Sequence, residues 1–432
     1  MSSFRILLVG GGGREHALAW KLSQSPLVEH IFTVPGNGGT ASLDKVTNVS
    51  SISETSPKYF EQLVKFAKDN DVNVVLPGPE QPLVDGIVDY VNDHTRGRGT
   101  WCFGPTQAAA MMEGSKAYAK DFMRRFNIPT AEYRNFNKYE EAKEYLDSVS
   151  HDVVIKASGL AAGKGVIIPQ NKQEAHDALK DIMLDKEFGA AGDEVVIEEF
   201  LEGEEISILS FCDGKSIKSL PPAQDHKRIG DGDTGPNTGG MGTYAPTKAA
   251  SDAELEQIHK TVLQPTIDGM REEGYPMVGC LFTGLMMTKN GPRVLEYNVR
   301  FGDPETQSLV VLMKSDLAKV IEACMDEKLE SFELEVDSKF AATVVVASGG
   351  YPGSYKKGVE MKLDSVPNGV VLFHAGTTLD GGVLKTSGGR VIASTASGET
   401  LEDAVQTAYK GVNCIHFDGM QYRKDIAHRA LR

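Results

Sequence analysis

Two lysines frame the stretch with the strongest chemical signature. Lys156 ends the run Val153-Val154-Ile155-Lys156, and Lys164 precedes Gly165-Val166-Ile167-Ile168. β-Branched residues favour strands, so the pattern predicts strand, loop, strand. Gly159, Gly163 and Gly165 let the loop backbone approach a ligand closely. Successive N–H groups in such a loop form a concavity for anions, and lysine supplies a point charge suited to phosphate. The pattern is not G-x-x-x-x-G-K-[ST]. Gly159 and Gly163 are one residue too close, and Gly165 follows Lys164 where Ser or Thr is required. No helix follows either, so the stretch reads as a hairpin flap over a nucleotide, against the plainer reading of a glycine-rich turn.

A second constellation is Glu296-Tyr297-Asn298-Val299-Arg300. Strand alternation puts Glu296, Asn298 and Arg300 on one face. A carboxylate beside an amide oxygen is a hard oxygen set for Mg²⁺, and arginine can hold a carboxylate in a fork. A sheet with a polar face is the bland alternative. Near the N-terminus, a strand over 4–9 runs into Gly10-Gly11-Gly12-Gly13-Arg14-Glu15-His16. Strand, glycine turn and helix suit a phosphate at 11–14, although Arg14 and His16 serve equally as solvated first-turn residues. The last glycine of a dinucleotide fingerprint is missing, and no acid follows the next strand to hold a ribose. The loops carrying Asn37 and Gly38 and carrying Glu80 lie at the same carboxyl edge, where ligands of open parallel sheets bind. Glu80 suits sugar hydroxyls or, equally, a helix start.

The acid cluster 198–205 holds a carboxylate for ribose hydroxyls and backbone for adenine; the alternative is a solvated acidic turn. The stretch 224–242, with Asp225, Lys227, Arg228 and many glycines, is long enough to read as a mobile lid over charged substrates. Lys116, alone in a helix expected over 105–127, reads from pattern as a solvated face residue.

These groups need α/β elements to position them. The 432 residues suggest roughly two to four domains. We expect an N-terminal open parallel α/β domain over 1–104, a central α+β region over 105–330 with a flap subdomain at about 130–200, and a C-terminal mixed β/α domain over 331–432 that closes one side of the site. A single long helix is expected over 251–274, and strands over 278–288 and 293–296 pair about a tight turn. In the last domain only His374 and Gly388-Gly389-Arg390 stand out from structural residues. The net charge of −15 argues against nucleic acid as a partner but leaves room for a basic pocket. No signal or membrane segment is visible. The five cysteines are scattered, without a CxxC pair, which fits a reducing, cytoplasmic setting.

Taken together, Gly12 to His16, Pro35 to Thr40, Gly78 to Glu80, Lys156 to Val166, Gln224 to Arg228, Gly235 to Gly242 and Leu295 to Glu305 resemble the phosphoribosylamine–glycine ligases, and 105–316 resembles their ATP-grasp fold. The resemblance implies ligation of glycine to 5-phosphoribosylamine in purine biosynthesis. ATP would be co-substrate, Mg²⁺ the metal with Mn²⁺ as alternative, and glycyl phosphate the intermediate. It implies Lys116 and Lys156 on ATP phosphates, the loop of Gly159, Gly163, Lys164 and Gly165 over them, and Glu199 and Leu201 at adenine. Glu205 would hold the ribose, and Glu296 and Asn298 the metal. Gly12, Gly13, Arg14, Asn37, Gly38, Glu80, Lys227 and Arg228 would line the phosphoribosylamine site. Arg300 is assigned to the glycine carboxylate and Asp225 to its amine, with Lys164 the third catalytic candidate. Many ATP-grasp members carry another acid where Gly284 stands. Related eukaryotic enzymes are fused to later purine-pathway activities, so fusion or association is an expectation here too. A different ATP-grasp ligase or carboxylase and a non-catalytic ATP sensor are the alternatives.

Overall fold

The computed structural model describes residues 3–161 and 164–431. Gly163, expected in the flap loop, lies outside the described residues.

The N-terminal sheet is parallel, in the order Val46–Asn48, Val28–Pro35, Phe4–Gly10, Val74–Pro77, Trp101–Cys102. Its strands are apolar throughout because both faces are covered. Leu7, Val9 and Val75 enter one core, and Ile6, Leu8, Val74 and Leu76 enter the other. Two helices follow, Gln107–Gly114 and Lys116–Arg125. The single helix expected here is broken at Ser115, whose backbone is extended and whose side chain accepts from the Tyr118 N–H. A serine N-cap after a glycine restarts the helix. Lys116 therefore stands in a first turn, not in a helix interior.

The flap sheet is antiparallel, in the order Tyr133–Phe136, Val195–Glu199, Val153–Ala157, Val166–Ile167. Helices Tyr139–Ser148 and Lys172–Met183 cover it through a small core around Leu146, Ile155, Leu179 and Ile197. The central sheet runs Ile217–Ser219, Glu204–Asp213, Val278–Thr288, Gly291–Asn298, also antiparallel. The helix expected over 251–274 is Asp252–Ile258 and Gln264–Glu272 joined by a π-turn over His259–Leu263. Pro265 cannot donate its hydrogen bond, and the wider turn absorbs that loss.

The C-terminal sheet contains Phe340–Ser348, Arg390–Gly398 and Val370–His374, but its other side is built by Gly242–Ala245 and Gln224–Asp225. The stretch 224–242 is thus folded, which corrects the expectation of a loose lid. Between the two sheet strands it forms a hairpin, Arg228–Gly230 with Thr234–Asn237. The chain's last segment clasps that hairpin. Fully buried Arg423 donates to both Asp425 oxygens at 2.8 Å, to Asp233 Oδ1 at 2.9 Å and to the Arg228 carbonyl at 3.2 Å. Asp425 in turn accepts from the Gly232 N–H at 2.8 Å.

Removing one partner of a buried pair leaves the other charge uncompensated. Asp425→Ala should therefore cost about 3 kcal/mol in urea unfolding, and limited proteolysis should then cut first within residues 228–237.

Candidate active site

The flap sheet, the central sheet and the hairpin enclose a cleft of about 860 Å³. On the flap side, Lys120 and Lys156 both pair with Glu198, and all three side chains are nearly fully buried. Lys120 also donates to Thr130 Oγ1 at 2.7 Å, and Lys156 to the Leu295 carbonyl at 3.2 Å. Burial pushes the Lys120 amine down to about 8, against the pull of Glu198. Burial opposes the Glu198 charge too, but Lys156 and Lys120 hold it below the usual carboxylate range. Lys116 lines the same wall and donates to the Gly159 carbonyl at 3.3 Å. Its pKa is lowered by burial and partly restored by Glu296.

Glu199, Leu201 and Glu205 line the edge where flap and central sheets meet. Among the described residues, no protein group accepts from the Leu201 N–H. Glu205 pairs with Lys227, whose ammonium is also 3.9 Å from Glu296. Glu296, Asn298 and Arg300 share this cleft, as alternation requires. Burial disfavours the Glu296 charge, yet Lys227, Lys156 and Lys116 keep it ionised. Gly284 lies directly across from Glu296, and a Cβ there would stand 3.3 Å from the Glu296 side chain. The strand bulges immediately after Gly284.

Arg300 is more committed than its sequence context suggests. It is 3.1 Å from Glu113 and 3.4 Å from Glu80, and it donates to Asn298 Oδ1 at 3.4 Å. Asp225 and Glu305 both line the cleft. Burial, and for Asp225 the nearby Glu305 charge, push both carboxyls upward.

Four residues expected at the substrate are elsewhere. Asn37 is buried, donating to the Gly11 and His374 carbonyls at 2.9 Å and accepting from Gly39 and Thr40. The Gly38 N–H reaches Thr377 Oγ1 at 3.1 Å. The Gly12 N–H is taken by Glu15 at 2.6 Å, and Gly13 is buried in the first helical turn. A carboxylate already caps this helix, so the anion site expected at 11–14 is filled from within the chain. Arg14 and His16 are buried rather than solvated. Arg14 lines the cleft, paired with Glu15 at 2.6 Å, while His16 faces the C-terminal sheet and accepts from the His374 N–H. Glu80, Lys227 and Arg228 do line the cleft. In the flap, Gly165 lines it, but Gly159 donates to Ala191 instead, and the Lys164 side chain is exposed outside it.

Family models for the N, ATP-grasp and C domains of phosphoribosylglycinamide synthetase match residues 4–113, 114–306 and 341–429. A curated phosphoribosylamine–glycine ligase of Vibrio parahaemolyticus is 47% identical over 99% of this chain and 98% of its own length. The chain belongs to the phosphoribosylglycinamide synthetase family.

Other synthetase relatives are longer. The bifunctional purine biosynthetic protein ADE1 of Schizosaccharomyces pombe is 58% identical across the whole chain, which spans 54% of that protein. The chain thus covers about half the length of such relatives. The crystal structure of a phosphoribosylamine–glycine ligase from Thermotoga maritima superposes with a TM-score of 0.82 at 34% identity, over 98% of this chain and 100% of that one. A biotin carboxylase domain from Hydrogenobacter thermophilus gives 0.73 at 16% identity, over 98% and 92%, and shares the fold.

Sequence reading of this synthetase chain missed Lys120, Glu198, Glu113 and Glu305. Lys120 was within reach, since it follows Lys116 by one helical turn on the same face. Glu198 opens the acid cluster 198–205 but nothing local marks it as the buried member, and Glu113 and Glu305 carry no local sign of their burial.

The Lys120 value gives a pH test. Its folded pKa, about 8, lies below the ordinary 10.5, so the unfolded chain binds the proton more tightly. This group's contribution to stability therefore rises as pH climbs from about 8 to 10.5. Urea unfolding at about pH 7 and about pH 9.5 should show wild type gaining on Lys120→Met as pH rises; a constant gap would refute the assignment.

Proposed function

We propose that the chain joins glycine to 5-phosphoribosylamine at the expense of ATP, forming glycinamide ribonucleotide, ADP and phosphate in purine biosynthesis. The observation that carries this reading is one cleft with Lys116, Lys156 and the flap on one side and Glu296 and Asn298 on the other. The phosphoribosylamine–glycine ligases among its relatives support it.

A carboxylate is a poor acyl donor and needs activation. A glycine carboxylate oxygen attacks the γ-phosphorus, the bond to ADP breaks, and glycyl phosphate forms. The phosphoribosylamine nitrogen then attacks the glycyl carbon, phosphate leaves, and the nitrogen sheds a proton. Such transfers need positioning and charge stabilisation more than a protein nucleophile. Lys116 and Lys156 hold the triphosphate, Glu205 the ribose, and the backbone at Glu199 and Leu201 the adenine. Arg300 orients the glycine carboxylate, drawing on its looser contact to Glu80, and Asp225 takes the glycine amine. The flap backbone around Gly165, rather than the Lys164 side chain, covers the phosphates and keeps water from the acyl phosphate.

Glu296 and Asn298 are hard oxygen donors, and Glu296 is charged, which fits a divalent ion such as Mg²⁺, with Mn²⁺ as alternative. Among the described residues no group of three or more His, Cys, Asp or Glu converges as a metal site, so phosphate and water oxygens would complete the shell. The ion's chemistry is neutralisation of phosphate charge. Among the described residues no helix is long and apolar enough to cross a membrane, and all five cysteines are free, which fits cytoplasmic work. The longer bifunctional purine biosynthetic relatives support fusion to, or association with, further purine-pathway enzymes.

Incubation with ATP, glycine and freshly generated phosphoribosylamine should release ADP only when both co-substrates are present. Release indifferent to glycine would refute the ligase reading and favour another ATP-grasp enzyme. Separately, Glu296→Gln and Asn298→Ala should each raise the Mg²⁺ concentration for half-maximal rate about tenfold or more, with folding intact by circular dichroism.

A further inference from the structure

With the Gly12 N–H taken by Glu15 and Gly13, Asn37 and Gly38 buried, the phosphate of the amine substrate needs another receptor. The cations lining the cleft differ in what holds them. Lys120 and Lys156 share Glu198, Lys227 pairs with Glu205, and Arg14 with Glu15. Arg300 has Glu113, and Arg429 reaches Asp233 at 2.7 Å. Their charges are matched inside the protein.

Three cations are held instead by neutral carbonyl oxygens. Lys116, in the first turn of the helix beside the flap, is assigned to the nucleotide by the ligase reading. The other two sit against the hairpin segment. Arg228 Nη1 donates to the Gly235 carbonyl at 2.7 Å. Arg390 Nη1 donates to the carbonyls of Gly239 and Asp303, both at 2.8 Å, and of Gly240 at 3.4 Å. The Asp303 carboxylate, 3.6 Å from that nitrogen, pairs with it as an ion, and each group holds the other charged, but the contact is too long for a good hydrogen bond. Among the described residues, no recorded hydrogen bond uses Arg390 Nε or Nη2. A guanidinium fixed by carbonyls through one nitrogen is oriented, keeps its charge, and offers its other N–H groups to a planar-fork acceptor.

Tyr351 completes the arrangement. Its hydroxyl accepts from the Gly239 N–H at 3.1 Å, leaving its own proton to donate. Its ring lies so close to Gly389 that a Cβ there would be 2.2 Å away. The run Gly388-Gly389-Arg390 thus sets tyrosine and arginine side by side at the cleft.

We infer that Arg390, Tyr351 and Arg228 form the receptor for a phosphate monoester, the 5-phosphate of the amine substrate. This rests on the ligase reading and adds to it a specificity site on the C-terminal sheet. A nucleotide phosphate has the same chemistry, so the test separates the two.

At saturating ATP and glycine, Arg390→Met should raise KM for phosphoribosylamine roughly tenfold to a hundredfold, the loss of a charge-assisted hydrogen-bonded pair. Arg390→Lys should recover part of this, and Tyr351→Phe should raise the same KM about threefold to tenfold. KM for ATP should stay within about twofold. A shift in KM for ATP instead, or an unchanged KM for phosphoribosylamine in Arg390→Met and Tyr351→Phe, overturns the proposal. If Arg390→Met fails to fold, Tyr351→Phe and Arg228→Met decide by the same criterion. If the wild type shows no glycine-dependent ADP release, the ligase reading has failed on its own. Calorimetry with ribose 5-phosphate then decides the receptor. Binding to wild type that weakens at least about tenfold in Tyr351→Phe or Arg228→Met supports it; no binding to wild type, or equal binding to all, overturns it.

Discussion

Two ammonium groups buried at one wall repel each other and lose their hydration, a loss of several kcal/mol per ion. Glu198, set between Lys120 and Lys156, makes that wall tenable. The three groups come from a helix and two neighbouring strands of the flap sheet, so the ion cluster also fixes how that sheet meets the helix Lys116–Arg125. Through Lys156 it touches the Leu295 carbonyl, one residue from Glu296. The cationic and acidic sides of the cleft are thereby held in one frame. Lys116, with no carboxylate within pairing distance among the described residues, is left as the free charge on that side.

The rest of the cleft follows the same balance. Glu198 and Glu296 have cations that keep them charged. Lys227 stands between Glu205 and Glu296, coupling the edge where the flap and central sheets meet to the strand that carries Glu296 and Asn298. Asp225 and Glu305, crowded together, are drawn toward the protonated form.

What could be read from the sequence was what repeats locally. Glycines between β-branched runs marked the flap hairpin, and period-two spacing placed Glu296, Asn298 and Arg300 together. The parallel N-terminal sheet followed from strands alternating with helices across glycine turns. What could not be read depends on partners far along the chain. The loops at 11–14 and 35–40 have the composition of anion sites, yet Glu15 fills the first from within its own helix, and the second is closed by His374 and Thr377, more than three hundred residues away. The polar stretch 224–242 looked unstructured because its strands pair with Phe340–Ser348 and its hairpin waits for Arg423. Arg300 looked available because Glu113 lies on a helix with no local sign of its role.

The interleaving of Gln224–Asp225 and Gly242–Ala245 into the C-terminal sheet has a consequence for modularity. A fragment beginning near residue 331 would carry Phe340–Ser348 with one long edge bare, inviting association between copies. A chimera exchanging this region between relatives would have to move two separated pieces of chain together. Swinging motions are constrained likewise: the central and C-terminal sheets share continuous backbone at 217–245, and the flap sheet is held to the central sheet by the bridge between Thr130 and Val294 and by Lys156 on the Leu295 carbonyl.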